Sequence, residues 1–168
     1  MTESQLLASL KTECIAQTWT GSTNVVFPTG CVAITPNVEL AMEAAAKTMR
    51  TPFCLIQPLD TTSDPEFGED PNFIQLNVNV RVLVMVPGDS VGENPLIGGN
   101  KTGGSTVSEG RGLFEIQAEL FNAIGRLNDL ESVQLQNTQV GAAQAAIVDG
   151  KTYVAWRDYK FQALGTLV

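Results

Sequence analysis

The sequence contains no histidine. That removes a Ser-His-Asp triad, a Cys-His nucleophile pair and any zinc site that uses an imidazole. Basic residues are scarce as well: 10 Lys and Arg stand against 18 Asp and Glu, a net charge of −8. Wrapping duplex DNA requires a basic footprint that displaces phosphate counterions, and docking on an anionic membrane requires one too. The acid excess argues against both. Cysteine is limited to Cys14, Cys31 and Cys54, an odd number with no CxxC spacing. These read as small apolar side chains, reduced in a reducing compartment. The segment Met1–Glu13 has neither a basic start nor a long apolar run, so no signal peptide is expected. No run approaches the roughly 18 consecutive apolar residues of a membrane span.

What is present is a chain of 168 residues, 43% hydrophobic and 17% charged. Those figures fit one globular domain, residues 1–168, with a core that needs no disulfide or metal staple.

Leu6, Leu7, Leu10 and Cys14 recur at steps of three and four, which predicts a helix from about Thr2 to Gln17, capped by Thr2 or Ser4. Asn24–Phe27 and Cys31–Ile34 read as short strands around a Pro28-Thr29-Gly30 turn. A second helix is expected over Asn37–Met49, where Pro36 suits a start and the interior is rich in Ala, Glu and Met. Pro52 breaks it, and Phe53–Gln57 follows as a short apolar strand. The segment Asp60–Asp70 holds five acids, one Pro and one Gly. It lacks EF-hand spacing and is read as a solvated acidic loop, with calcium or a basic partner as the alternatives.

The strongest pattern is Phe73–Val86. Ile74, Leu76, Val78, Val80, Val82, Val84 and Val86 occupy every second position, with Gln75, Asn77, Asn79 and Arg81 between them. Only a β-strand puts such a set on one side. At about 3.3 Å per residue the run spans roughly 45 Å, against a usual strand of about 17–20 Å, which suggests a strand that projects beyond its core or bends around it. Pro87–Gly110 then offers seven glycines in 24 residues. Loops of that length are uncommon inside compact domains unless functional or disordered, and this one is expected to project and to rest against something, a neighbouring subunit being one candidate. A third amphipathic helix follows from about Gly110 or Arg111 to Leu127. Leu113, Ile116, Leu120, Ile124 and Leu127 are its apolar stripe, widened by Phe114 and Phe121, while Glu115, Glu119, Asn122 and Arg126 face water. The tail reads as strands at Val133–Val140, Ala143–Val148 and Thr152–Leu164, the last two joined by an Asp149-Gly150 hairpin turn. The expected fold class is α+β: a mostly antiparallel sheet packed against two or three helices, with a long Gly-rich loop.

Motifs that would carry chemistry fail on inspection. Gly98-Gly99-Asn100-Lys101-Thr102 hints at a phosphate loop, but Pro95 and Asn100 stand where a Walker A motif needs glycine. Asp158 lies between Trp156 and Tyr159 and reads as an edge-strand charge beside two core anchors; a carboxylate-pair hydrolase is the distant alternative. Arg81 is expected to be solvated or ion-paired, with an interface anchor as the other choice. Arg157 is expected to pair with a carboxylate or stack on a ring. Catalytic, cofactor and metal residues are therefore assigned to none, and no enzymatic activity is expected.

The layout as a whole is suggestive. A helical N-terminus, the strand Pro52-Phe53-Cys54-Leu55-Ile56-Gln57-Pro58, an acidic turn and a long Val-rich strand lead into the Gly-rich loop ending Ser108-Glu109-Gly110-Arg111-Gly112. The helix LFEIQAELFNAIGRLN and the closing strand YVAWRDYKFQAL complete it. Together these resemble the neck and tail-completion proteins of long-tailed bacteriophages, most closely the tail terminators. The resemblance implies a small α+β domain that assembles as a ring, expected to be a hexamer, within the virion's tail or neck after synthesis in the host cytoplasm. Such a ring caps the tail tube, stops its polymerisation and offers its other face to the head-side connector. DNA passes through without specific binding, no membrane is involved, and no cofactor or enzymatic step is implied. A stopper or head-completion protein and a tail tube subunit are the related alternatives. By that resemblance the long strand and the loop are assembly parts. The candidate subunit or partner contacts are Phe67, Arg81, Val91, Leu96, Ile97, Lys101, Val107, Glu109 and Arg111.

Overall fold

The computed structural model describes residues 1–48, 50–63, 73–87, 96, 111–131, 134–148, 150 and 152–166. In chain order the elements are α1 (Glu3–Ala16), β1 (Val32–Ile34), α2 (Val38–Thr48), β2 (Phe53–Pro58) and β3 (Thr62–Ser63). They continue with β4 (Phe73–Pro87), α3 (Leu113–Glu131), β5 (Gln136–Val140), β6 (Gln144–Val148) and β7 (Thr152–Thr166). The α+β class holds.

Local chemistry explains the helix starts. Thr2 caps α1 in a reciprocal box: its hydroxyl accepts from the Gln5 amide at 3.3 Å, and the Gln5 side chain accepts from the Thr2 amide at 2.9 Å. Asn37 caps α2, its side-chain oxygen accepting from the amides of Glu39 and Leu40, both at 3.1 Å. The third amphipathic helix runs to Glu131 rather than ending at Leu127. The Asn128 side chain does not break the helix. It reaches forward instead, accepting from the Leu135 amide at 2.8 Å and so fixing the chain after the helix. No strand forms at Asn24–Phe27; a single antiparallel bridge, Thr18 to Val25, takes its place, with Val26 and Phe27 buried. Two backbone bonds hold the segment, the Val26 amide donating to the Gln17 carbonyl at 2.8 Å and the Trp19 amide to the Asn24 carbonyl at 3.0 Å.

The seven strands form one sheet in the order β1-β2-β4-β7-β5, with β3 beside β4 and β6 beside β7. Only β1 and β2 are parallel, joined by α2 as the crossover. The central pair is β4 and β7, antiparallel and in register from Phe73 opposite Thr166 to Pro87 opposite Thr152. The extra length of β4 is therefore paired along its whole course, not left projecting. β5 and β6 both lie along the outer side of β7, separated by a break at Gly141. There the Gly141 amide donates to the Asp158 carbonyl at 2.8 Å, and a Cβ at 141 would sit 3.2 Å from that same oxygen. Glycine is what lets the two backbones approach this closely.

Helices cover both faces. On one, α1 and α3 supply Leu6, Leu10, Cys14, Leu113, Ile116, Leu120 and Ile124 against Leu76, Val78, Val80, Val82 and Val84 of β4 and Ala155, Tyr159 and Phe161 of β7. On the other, α2 lays Val38, Met42, Ala45 and Ala46 over Leu55, Leu83, Met85, Val154 and Trp156. A fully buried aliphatic side chain contributes about 1.5–3 kcal/mol, so the repeated valines of β4 carry a large share of the fold. All three cysteines are free and buried. Burial pushes the Cys31 thiol up, and contact with Cys14 together with burial pushes Cys54 well up, so both stay protonated.

Candidate functional site

The two faces of β4 continue differently. Beyond the end of α2, the second face of the sheet changes from apolar to polar: Arg81 and Asp158 come first, then Asn79 opposite Lys160 and Asn77 opposite Gln162. Arg81 is buried, 6% exposed, and its guanidinium grips both oxygens of Asp158, Nε to Oδ1 at 2.8 Å and Nη2 to Oδ2 at 2.9 Å. Its Nη1 donates to Glu39 on α2 at 2.6 Å, and its Cζ lies 5.4 Å from the Trp156 ring centre. Burial opposes the charge, but the bonds to Asp158 and Glu39 outweigh it, so the Arg81 pKa lies above its ordinary value. The guanidinium thus takes the ion-paired alternative and is turned inward, away from the surface. It locks β4, β7 and α2 together at the boundary between apolar and polar sheet. Asp158 is not an edge-strand charge, because β7 lies between β4 and the β5–β6 strands.

Below this boundary the amides bond one another. Gln162 Nε2 donates to Gln75 Oε1 at 3.0 Å and to Asn77 Oδ1 at 3.1 Å, while Asn77 Nδ2 donates to the Asp60 carbonyl at 2.8 Å. Asn79 is 5% exposed, and its Oδ1 has no hydrogen-bond partner among the described residues. The result is a neutral, amide-lined half-face flanked by Lys160, which is exposed.

A second polar cluster lies on the α3 side. Glu119, expected to face water, is 4% exposed. It accepts from Gln17 Nε2 at 2.7 Å, from the Thr20 amide at 2.8 Å and from Asn122 at 3.2 Å. Burial alone would raise its pKa; the hydrogen bonds from Thr20, Asn122 and Gln17 overcome that and hold it below the ordinary value. The reason for the error is positional: the loop after α1 folds over this flank of α3 and needs an acceptor. Arg126 is likewise engaged, Nε to Glu13 at 2.9 Å. Between the loop and the helix runs a groove of about 700 Å³ lined by Thr18, Trp19, Thr20, Phe121, Asn122 and Arg126, among others. Phe114, expected to widen the apolar stripe, is 45% exposed and sits under Arg157, 5.6 Å from ring to guanidinium. Arg157 thereby meets the expected stacking role, and it also donates to the Gly141 carbonyl at 2.7 Å.

Of the residues proposed as contacts, Arg111 is half-buried, its guanidinium stacked 4.5 Å from the Trp19 ring centre and 3.9 Å from Glu115. Leu96 is half-buried against the α1–α3 core, so it works for the fold as well as for any surface. Phe67, Val91, Ile97, Lys101, Val107 and Glu109 lie outside the described residues. Sequence reasoning missed the Glu39–Arg81–Asp158 link and the Glu119 clamp, because each joins residues far apart in the chain. Among the described residues, no cluster of three His, Cys, Asp or Glu side chains could hold a metal. No helix among them is long and apolar enough to cross a membrane. No family model and no curated protein matches this sequence.

Proposed function

We propose that this chain is a structural virion protein, a ring-forming tail terminator that caps the tail tube and joins it to the head-side connector. The observation that carries the reading is the central β4–β7 slab. Two 15-residue strands are paired over their full length, locked to α2 by Arg81, and continue beyond the cover of α2 into an amide-lined face. That is a stiff, broad surface suited to packing against other proteins. The layout shared with tail terminators supports the same reading. The net charge of −8 suits a passage wall along which DNA slides without sticking.

Native mass spectrometry with and without the tail tube protein tests it, followed by electron cryomicroscopy of the joined particle. The expected result is a ring, six copies by resemblance, seated once at the tube end. Monomer alone under both conditions sinks the reading. Many stacked copies along the tube would make the chain a tube subunit instead.

A further inference from the structure

Among the described residues, the lateral edges of the sheet are β1 and the two-residue β3 on one side and β5 with β6 on the other; β3, beside Asp60, is too short to seat a partner strand. Edge strands offer a row of unpaired amides and carbonyls, and most are guarded by charge, proline or a covering element. Neither β1 nor β5 nor β6 contains a charged residue or a proline. The surrounding sequence is equally bare: no Asp, Glu, Lys or Arg occurs between Glu13 and Glu39, nor between Glu131 and Asp149. These are the two longest uncharged stretches of the chain, and each contains one edge of the sheet. Each edge also exposes aliphatic side chains, Ile34 at 40% on β1, and Val140 at 36% and Ile147 at 64% on the other side.

We propose that the β5–β6 edge of one copy docks on the β1 edge of a second copy, head to tail, so that one sheet runs on into the next. The inference rests on the ring reading above and names its subunit surface. The occupant is a second copy because of charge. Two chains of −8 repel each other over most of their surfaces, and they meet at least cost where both are neutral. A partner of opposite charge would instead be recognised by charged edges. Because the two edges are different surfaces, the contact is heterologous, and such contacts close into rings when the rotation between copies allows. β1 is only three residues long, so main-chain bonds are few and the apolar contact of Ile34 with the Ile147 side supplies the rest.

The test uses the full chain with Ile34→Lys and Ile147→Lys, each charging one edge at an exposed site. Native mass spectrometry of the wild type should give the ring, and each variant alone should give the monomer of 18.0 kDa. An equal mixture should give dimers and nothing larger. The Ile34→Lys copy keeps its β5–β6 edge, the Ile147→Lys copy keeps its β1 edge, and only that one pairing is free of lysine. Circular dichroism melts check that both variants fold; Ala145→Asp and Ile34→Asp, of one sign on both edges, repeat the test if either does not. A wild-type ring that survives both lysines overturns the edge contact and leaves the ring reading standing. Dissociation by Ile147→Lys alone, or a mixture that stays monomeric, overturns the head-to-tail arrangement. A wild type that is monomeric with and without tail tube protein overturns both.

Discussion

Even-numbered and odd-numbered residues of β4 share one backbone but live under different rules. The even set, Leu76 to Val84, is apolar throughout and sealed beneath α1 and α3. The odd set starts apolar at Met85 and Leu83 under α2, passes through the paired charge of Arg81, and ends in amides. The first face tolerates no polarity because two helices exclude water from it. The second accepts polar groups because, the Asn79 carbonyl apart, they find partners on β7, α2 or the loop before β3. The lesson concerns satisfaction rather than exposure: Arg81 is nearly as buried as the valines beside it.

The largest expected effect breaks the first face. Val80→Asp places an unpaired carboxylate at a position with no solvent access, a cost beyond about 4 kcal/mol. The variant should show no cooperative thermal transition by circular dichroism; a soluble, native-like protein would mean the two faces are assigned the wrong way round. Next, Asp158→Asn should destabilise by about 3–5 kcal/mol, since it leaves a buried guanidinium with only the exposed Glu39. The double change Arg81→Met with Asp158→Leu should recover much of that loss in urea titrations, because removing both charges removes the need for pairing. If the double variant is as unstable as the single, the cluster does more than satisfy itself.

Glu119 carries the comparison to the helix layer. Its folded pKa is depressed, so its contribution is fully present above the unfolded carboxylate value of about 4.3 and is lost as pH falls through the lower folded value. Wild type should therefore exceed Glu119→Gln in stability by about 1–3 kcal/mol at pH 7. That gap should close in acid, as followed by melts from pH 7 down to pH 2.5. A gap independent of pH would assign the effect to shape rather than charge. The smallest effect belongs to Asn79→Leu. It removes the buried carbonyl that has no partner among the described residues and, with it, only the long 3.4 Å bond from Nδ2 to Asp158, so stability should stay level or rise by up to about 1 kcal/mol. A clear loss would show that the bond to Asp158 outweighs the unpartnered carbonyl.

Much of the architecture was legible in advance because it is written locally. Capping by Thr2, the three- and four-residue steps of α1 and α3, and the strict alternation of Phe73–Val86 each depend on neighbours in the chain. The polar contacts were not. Arg81 meets Asp158 across 77 positions and Glu39 across 42, and Glu119 meets Gln17 across 102. No spacing rule relates such residues; they meet because strand order and helix placement bring them together. Phe114 and Glu119 were exchanged between core and surface for the same reason, since a helix stripe tells which side is apolar but not what lies against its flanks.

The sequence by itself determined the absence of imidazole chemistry, the acid excess, the helix and strand periods and the two long uncharged stretches. Tertiary structure alone decided that those uncharged stretches supply the opposite edges of one sheet, and that a lone arginine on a polar strand is a buried clamp. The division has a physical cause. Periodicity follows from backbone geometry a few residues at a time, whereas burial and pairing depend on which distant segments the folded chain lays side by side.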